Sequence, residues 1–173
     1  TVPRSSVSFV PDRTDADELF QLAVESSPCG MVLVDADGRI VLVNAETERL
    51  FGYARSELIG RSIETLVPER YRAGHPSARA LFSADPVRRS MGSGRELFGL
   101  HKDGREVPVE IGLNPIATAQ GPLVLASIVD ITERKLAIER LDAYSRMLER
   151  SNDELQHFAY VVSHDLKAPL RGI

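Results

Sequence analysis

The order of the apolar segments restricts the fold of this chain more than any other feature of its sequence. Two short runs with strand character come first, several short helical patterns follow, and three strand patterns come last. These strand patterns cover Gly30–Val34 and residues 39–43, 95–101, 106–113 and 123–130. Strands that are grouped in this way pair antiparallel and carry their helices on one face of the sheet. The sequence therefore predicts a five-stranded α+β fold.

The segments between the strands contain helix and turn signals. Residues 35–38 and 102–105 each contain an Asp-Gly pair and predict the turns of two β-hairpins. Asn44 predicts the cap of a short helix over residues 45–51. A longer helix is predicted over residues 69–84, where Pro76 should distort the first turn and bias His75 away from helical backbone.

Five short motifs, in order along about 110 residues, resemble those of a PAS domain. They comprise the turn at residues 35–40, the helix and aromatic pair at residues 44–53, residues 57–60, the turn at residues 102–106 and the closing segment at residues 130–134. The resemblance implies a PAS sensor domain over residues 15–132, preceded by a flexible lead-in over residues 1–14. Since PAS domains bind many ligands or none, it does not identify a signal.

A heptad pattern of apolar residues runs from about residue 131 to residue 166. With Ile138 at position a, the d positions are Leu141, Leu148, Leu155 and Val162. The a positions are weaker, and a polar a residue such as Asn152 favours a two-stranded parallel coiled coil. A helix of this length would measure roughly 50 Å and has no second stripe in this chain to pack against. The pattern therefore predicts a parallel homodimer.

The end of this heptad segment resembles the phosphoacceptor box of sensor histidine kinases. Residues 158–171 carry the resemblance, which implies that His164 accepts the phosphate and that Asp165 is a general base or orienting acid. His164 falls at the outer f position of the heptad, so an ordinary surface histidine is the alternative. Neutral imidazole is a nucleophile near pH 7. Residues 133–173 would form the coiled-coil linker and the first part of the dimerisation helix.

The histidine kinase resemblance also implies partners for this chain. A complete kinase of this family binds ATP with Mg²⁺ in a separate domain, phosphorylates its own histidine and passes the phosphate to the receiver domain of a response regulator. This chain has no glycine-rich phosphate loop in a suitable context, so we expect it to be inactive alone. Its first residue is not Met and its last residues continue an apolar pattern, which predicts a fragment of a longer protein.

His75 and Arg95 are the candidate cofactor residues of the sensor domain. The segments around them resemble the haem-ligand helix and the following strand of rhizobial oxygen-sensing kinases. The same two motifs occur in PAS domains without haem, where the histidine and arginine serve packing and hydrogen bonding. We favour this structural role for His75 and Arg95, and no cofactor is firmly expected. A haem-binding gas sensor and a ligand-free PAS dimerisation adaptor are the alternative functions.

Asp130 and Thr132 mark the joint between the last strand and the long helix. Thr132 or Asp130 can cap that helix, and the resemblance implies that this joint couples the sheet to the coiled coil.

Composition excludes several other classes of protein. The net charge is −4, whereas a general nucleic-acid binder is usually basic. Cys29 is the only cysteine, which excludes an internal disulfide and any cysteine-cluster metal site; the separated histidines give no zinc signature. The apolar runs are too short for a transmembrane helix. We expect a cytoplasmic segment without metal or nucleic acid, while the parent protein can carry a membrane anchor elsewhere.

Overall fold

The structure is a computed structural model that describes residues 13–91, 96–119 and 121–167, with side chains described for residues 18–88, 90–91, 96–119 and 121–163. It divides between Ile131 and Thr132 into two compact units. The described residues of the second unit form one helix, α6 (Thr132–Lys167). No helix in the described ranges is both long and apolar enough to cross a membrane.

The first unit contains a sheet and five α-helices in the described part of the chain. Its helices are α1 (Arg13–Glu25), α2 (Ala45–Phe51), α3 (Arg55–Leu58), α4 (Glu69–Arg72) and α5 (His75–Ala84), with a 3₁₀ helix at Ile63–Leu66. Its strands are β1 (Gly30–Val34), β2 (Ile40–Val43), β3 (Arg89–Ser90), β4 (Leu97–Leu100), β5 (Glu106–Thr118) and β6 (Gly121–Asp130).

The five predicted strands form one antiparallel sheet, which confirms the fold class. The order is β2-β1-β6-β5, and β3 and β4 both pair with the remaining edge of β5. The two-residue strand β3 was not predicted. Strand β5 also runs five residues past its predicted end at Leu113, through Pro115, which pairs with Val124 of β6. Pro115 lacks an amide hydrogen, but it lies beyond the residues of β5 that pair with β3, so no ladder bond is lost on that edge.

The predicted helix over residues 69–84 is two helices. They are separated at Ala73 and Gly74, and His75 is the first residue of α5. The expectation that Pro76 would bias His75 out of helical backbone is therefore wrong. Proline is tolerated in the first turn of a helix because the amide hydrogens there need no helical acceptor, and this outweighs the usual restriction on the residue before it.

The core lies between one face of the sheet and the short helices. Its most deeply buried side chains include Val32 of β1, Val109 of β5 and Phe51 and Leu58 from α2 and α3. Phe51 packs directly on the backbone of Gly99, where a Cβ atom would lie 2.4 Å from its ring. The ring thereby packs α2 against strand β4 of the sheet.

Asn44 is fully buried and joins three elements through its side chain. Its Oδ1 accepts hydrogen bonds from the amide of Met31 at 2.8 Å and from the amide and hydroxyl of Thr47 at 3.0 and 2.8 Å. Its Nδ2 donates to the carbonyl of Val24 in α1 at 3.0 Å and to that of Cys29 at 2.9 Å. The predicted cap of α2 is thus also the attachment of α1 and of strand β1.

We predict that Asn44→Ala lowers the free energy of unfolding by about 3 kcal/mol, because it removes the side-chain cap of α2, deprives the amide of Met31 of its acceptor and removes the bonds to Val24 and Cys29. The matched control is Asn114→Ala, since the Asn114 side chain has no hydrogen bond within the described residues. Urea unfolding of both variants measures the difference. Equal losses in the two variants would contradict the role given to Asn44.

Candidate functional site

A cavity lies inside the first unit, between the inner face of the sheet and α5. Its volume is about 150 Å³. Strand β6 contributes Val124, Ala126 and Ile128 to its wall, and Phe82 of α5 and Phe98 of β4 line it as well. These three β6 residues alternate along the strand, as residues on one face of a sheet do. The wall is therefore mainly apolar, and the central strand of the sheet forms part of it.

A polar cluster of Glu64, His75 and Arg79 lies at this cavity. Nδ1 of His75 is 3.0 Å from Oε1 of Glu64, and Nε of Arg79 donates to the same oxygen at 2.9 Å. The hydroxyl of Ser62 also donates to the Glu64 carboxylate. His75 and Arg79 lie four residues apart, on one face of α5, while Glu64 belongs to the 3₁₀ helix. The cluster ties α5 to the 3₁₀ helix.

The environment of Glu64 fixes its ionisation. Burial on its own raises the pKa of the carboxyl, but the hydrogen bonds from Ser62, His75 and Arg79 outweigh it, and the pKa falls to about 2. The carboxylate is consequently ionised at neutral pH and can only accept hydrogen bonds. When His75 is neutral, its proton must then be on Nδ1, and Nε2 is left as a hydrogen-bond acceptor.

Arg79 extends the cluster to the β1–β2 hairpin. Its guanidinium lies on the backbone of Gly38, where a Cβ atom would be 2.1 Å from Nη1. Gly38 has a positive φ of 81°, so the turn requires glycine for its conformation and for this close approach.

The candidate residues predicted from the sequence fall into two groups. In the first group, the structure describes His75 but not Arg95. His75 lines the cavity, and its Nδ1 lies within hydrogen-bonding distance of Glu64. Arg95 lies outside the described residues. Sequence reasoning missed Glu64 and Arg79, whose partnership joins separate elements. The spacing of His75 and Arg79 on one predicted helix was the available signal.

The second group lies on the joint and on the long helix. Asp130 is the last residue of β6 and Thr132 is the first residue of α6, with only Ile131 between them. His164 and Asp165 lie within the last turn and a half of α6, and their side chains are outside the described part of the chain. Among the described residues, no three metal-ligating side chains form a cluster.

The cavity does not fit the haem that the segment around His75 suggested. Pockets for ligands of drug size measure about 300–1,000 Å³, and a haem is at least that large. The cavity here has a volume of about 150 Å³. Size is the obstacle rather than the direction of the helix, because His75 lies in regular helical backbone.

This chain is similar to a known protein family and to known sensor proteins. The PAS fold family matches residues 18–131. The sensor protein FixL of Bradyrhizobium diazoefficiens is 29% identical over 150 residues, which cover 84% of this chain and 29% of that protein. The cell-division control histidine kinase PdhS of Brucella ovis is 29% identical over 157 residues, which cover 90% of this chain and 15% of that protein. The chain thus spans less than a third of the length of these relatives.

Solved structures show the same fold. The PAS domain of an HTR-like protein from Haloarcula marismortui is 28% identical, with a TM-score of 0.59 over 68% of this chain and 93% of that one. A PAS domain from Colwellia psychrerythraea is 23% identical, with a TM-score of 0.60 over 69% of this chain and 99% of that one. The second likeness concerns the fold alone.

We predict that Glu64→Gln destabilises the protein by about 2 kcal/mol at pH 7. Because folding lowers the pKa of Glu64 from its ordinary value of 4.5 to about 2, its stabilisation is complete above about pH 4.5 and disappears as the pH falls towards 2. The stability difference between wild type and variant should shrink over that window in urea unfolding. The exposed Glu69→Gln is the control and should follow the wild type; a difference that stays constant down to pH 2 would refute this role of Glu64.

We predict that haem added to the purified chain gives no specific complex, because the cavity is smaller than the ligand. The absorption spectrum after removal of unbound haem should lack a strong band at the blue edge of the visible. Such a band, present in the wild type and absent in His75→Ala, would show that the cavity opens far enough to bind haem.

Proposed function

Since the chain belongs to the PAS fold family, we propose that it is the sensor module of a two-component histidine kinase. One observation carries this proposal. The similarity to the histidine kinase PdhS covers 90% of the chain, which is more than residues 1–131 can supply, so it extends into α6. The shared part therefore includes residues of the helix that contains the phosphoacceptor-like box. We assign residues 15–132 to the sensor domain and residues 133–173 to the linker and phosphotransfer helix.

In this proposal, strand β6 carries the signal from the cavity to the helix. Its residues Val124, Ala126 and Ile128 line the cavity, and the strand ends two residues later at Asp130. Helix α6 begins at Thr132, so a displacement of the strand has only one intervening residue in which to be absorbed. Asp130 and Thr132 are the proposed coupling residues.

His164 is the proposed phosphoacceptor of the complete kinase. A ring nitrogen of its neutral imidazole would attack the γ-phosphorus of ATP, the bond from that phosphorus to the bridging oxygen would break, and ADP would leave. Asp165 would orient the imidazole or take its proton. The ATP with its Mg²⁺ would come from a domain outside this chain, and an aspartate of a response regulator would receive the phosphate.

We further propose that α6 pairs with a second copy in a parallel homodimer. Leu141, Leu148 and Leu155 occupy d positions and are 66%, 71% and 65% exposed in the single chain. Burial of such side chains contributes about 1.5–3 kcal/mol each, which favours association along this stripe. Asn152 on the same face supports a two-stranded arrangement in register.

We predict that His164→Ala in the complete kinase abolishes acid-labile phosphorylation, while the dimer and its stability remain within about 0.5 kcal/mol of wild type. Asp165→Asn should slow the reaction by roughly 10²-fold. The matched control is His157→Ala, which changes the same residue type at another f position and should retain full phosphorylation. Undiminished labelling of the His164 variant would refute the assignment.

We predict that Leu148→Lys weakens the dimer by at least tenfold in dissociation constant, because it places a charge in the apolar seam. Light scattering at micromolar concentration measures the mass. Ala143→Lys introduces the same charge at an outer f position and should leave the dimer intact. If the Leu148→Lys variant dimerised with the same dissociation constant as the wild type, the proposed seam would be contradicted.

A further inference from the structure

The volume of the cavity limits what it can hold. At about 150 Å³ it matches an apolar cavity that remains dry and accepts a molecule of the size of benzene. The rings of Phe51, Phe82 and Phe98 line it together with aliphatic side chains of the sheet. Such a wall complements a single aromatic ring, which can pack against other rings edge to face or offset.

The charged groups of the wall are already engaged within the protein. Oδ1 of Asp35 accepts hydrogen bonds from the amides of Asp37 and Arg39 at 3.0 and 2.8 Å. Arg79, the cationic side chain of the described wall, donates to the carboxylate of Glu64. Among the nitrogens of this guanidinium, Glu64 accepts from Nε alone, and a carboxylate ligand on the remaining ones would lie near the negative charge of Glu64. A neutral ligand avoids this repulsion.

The hydrogen-bond acceptor of the cluster that remains available for a ligand is Nε2 of His75. His75 lines the cavity, and Nδ1 is held by Glu64, while Nε2 has no hydrogen-bond partner among the described residues. Because the ionised Glu64 keeps the proton on Nδ1, Nε2 of the neutral ring accepts. The complementary ligand group is therefore a donor, such as a hydroxyl, rather than an ether or a ketone.

From these three observations we propose that the cavity binds a neutral phenol, a single aromatic ring whose hydroxyl donates to Nε2 of His75. The proposal rests on the proposed sensory role of this domain and specifies the class of ligand that the domain detects. It assigns Glu64 a positioning role, since the carboxylate selects the histidine tautomer that a phenol can recognise.

Comparison of phenol, toluene and benzoate tests each part of this proposal. In an apolar cavity without an acceptor, toluene would bind better than phenol, because a buried hydroxyl without a partner is unfavourable. The proposal predicts the opposite ranking, with phenol about tenfold tighter than toluene, the equivalent of about 1.4 kcal/mol for one hydrogen bond. Benzoate should show no saturable binding.

The titrations are followed on the full chain by the chemical shifts of its backbone amides. Phenol should perturb the amides of Val124–Ile128 in β6, the segment that contributes three alternate side chains to the cavity wall. In His75→Leu, the affinity for phenol should fall below that for toluene, while His157→Leu, an exposed histidine substitution on α6, should change neither affinity. Ala126→Leu, which fills the cavity, should weaken both ligands by at least tenfold.

The ranking of the three ligands on the unaltered chain decides the question even if a variant does not fold. The proposal would be overturned if toluene bound as tightly as phenol or more tightly, or if benzoate showed saturable binding. It would also be overturned by amide shifts outside the cavity, or by an unchanged preference for phenol in His75→Leu. The titration requires no kinase activity. Absence of phenol binding would therefore refute this ligand class alone, and phosphorylation of His164 would still decide the proposed function.

Discussion

The buried side chain of Asn44 is the interaction on which the first unit depends. It holds the end of α1, the start of β1 and the first turn of α2 with five hydrogen bonds, and its Oδ1 is the acceptor for the amide of Met31. Because β1 pairs with β6, this attachment also helps to position the strand that lines the cavity.

A cavity remains between the sheet and α5. Apolar side chains from β5 and β6 form one wall, and α5 forms another. The Glu64, His75 and Arg79 cluster holds α5 with charge-assisted hydrogen bonds, in addition to the burial of Phe82.

Local sequence signals predicted most of the fold. Alternating strands, two Asp-Gly turns and the Asn44 cap act within a few residues, and the structure has all of them. The prediction failed where contacts between residues far apart in the sequence determine the structure. The strand Arg89–Ser90 exists only because β5 pairs with it, and Pro76 was expected to bias His75 out of helical backbone although it lies in the first turn of α5. Glu64 could not be linked to His75 and Arg79 because their contact joins separate elements.

The central claim is that β6 joins the cavity to the start of α6. Xenon tests it most directly, because it enters an apolar cavity of this size and brings no hydrogen bonds of its own. Under xenon pressure, the amide shifts of Val124–Ile128 should change together with those of Ile131 and Thr132, with one common midpoint. Shifts that occur on α5 and leave Ile131 and Thr132 unchanged would contradict the account.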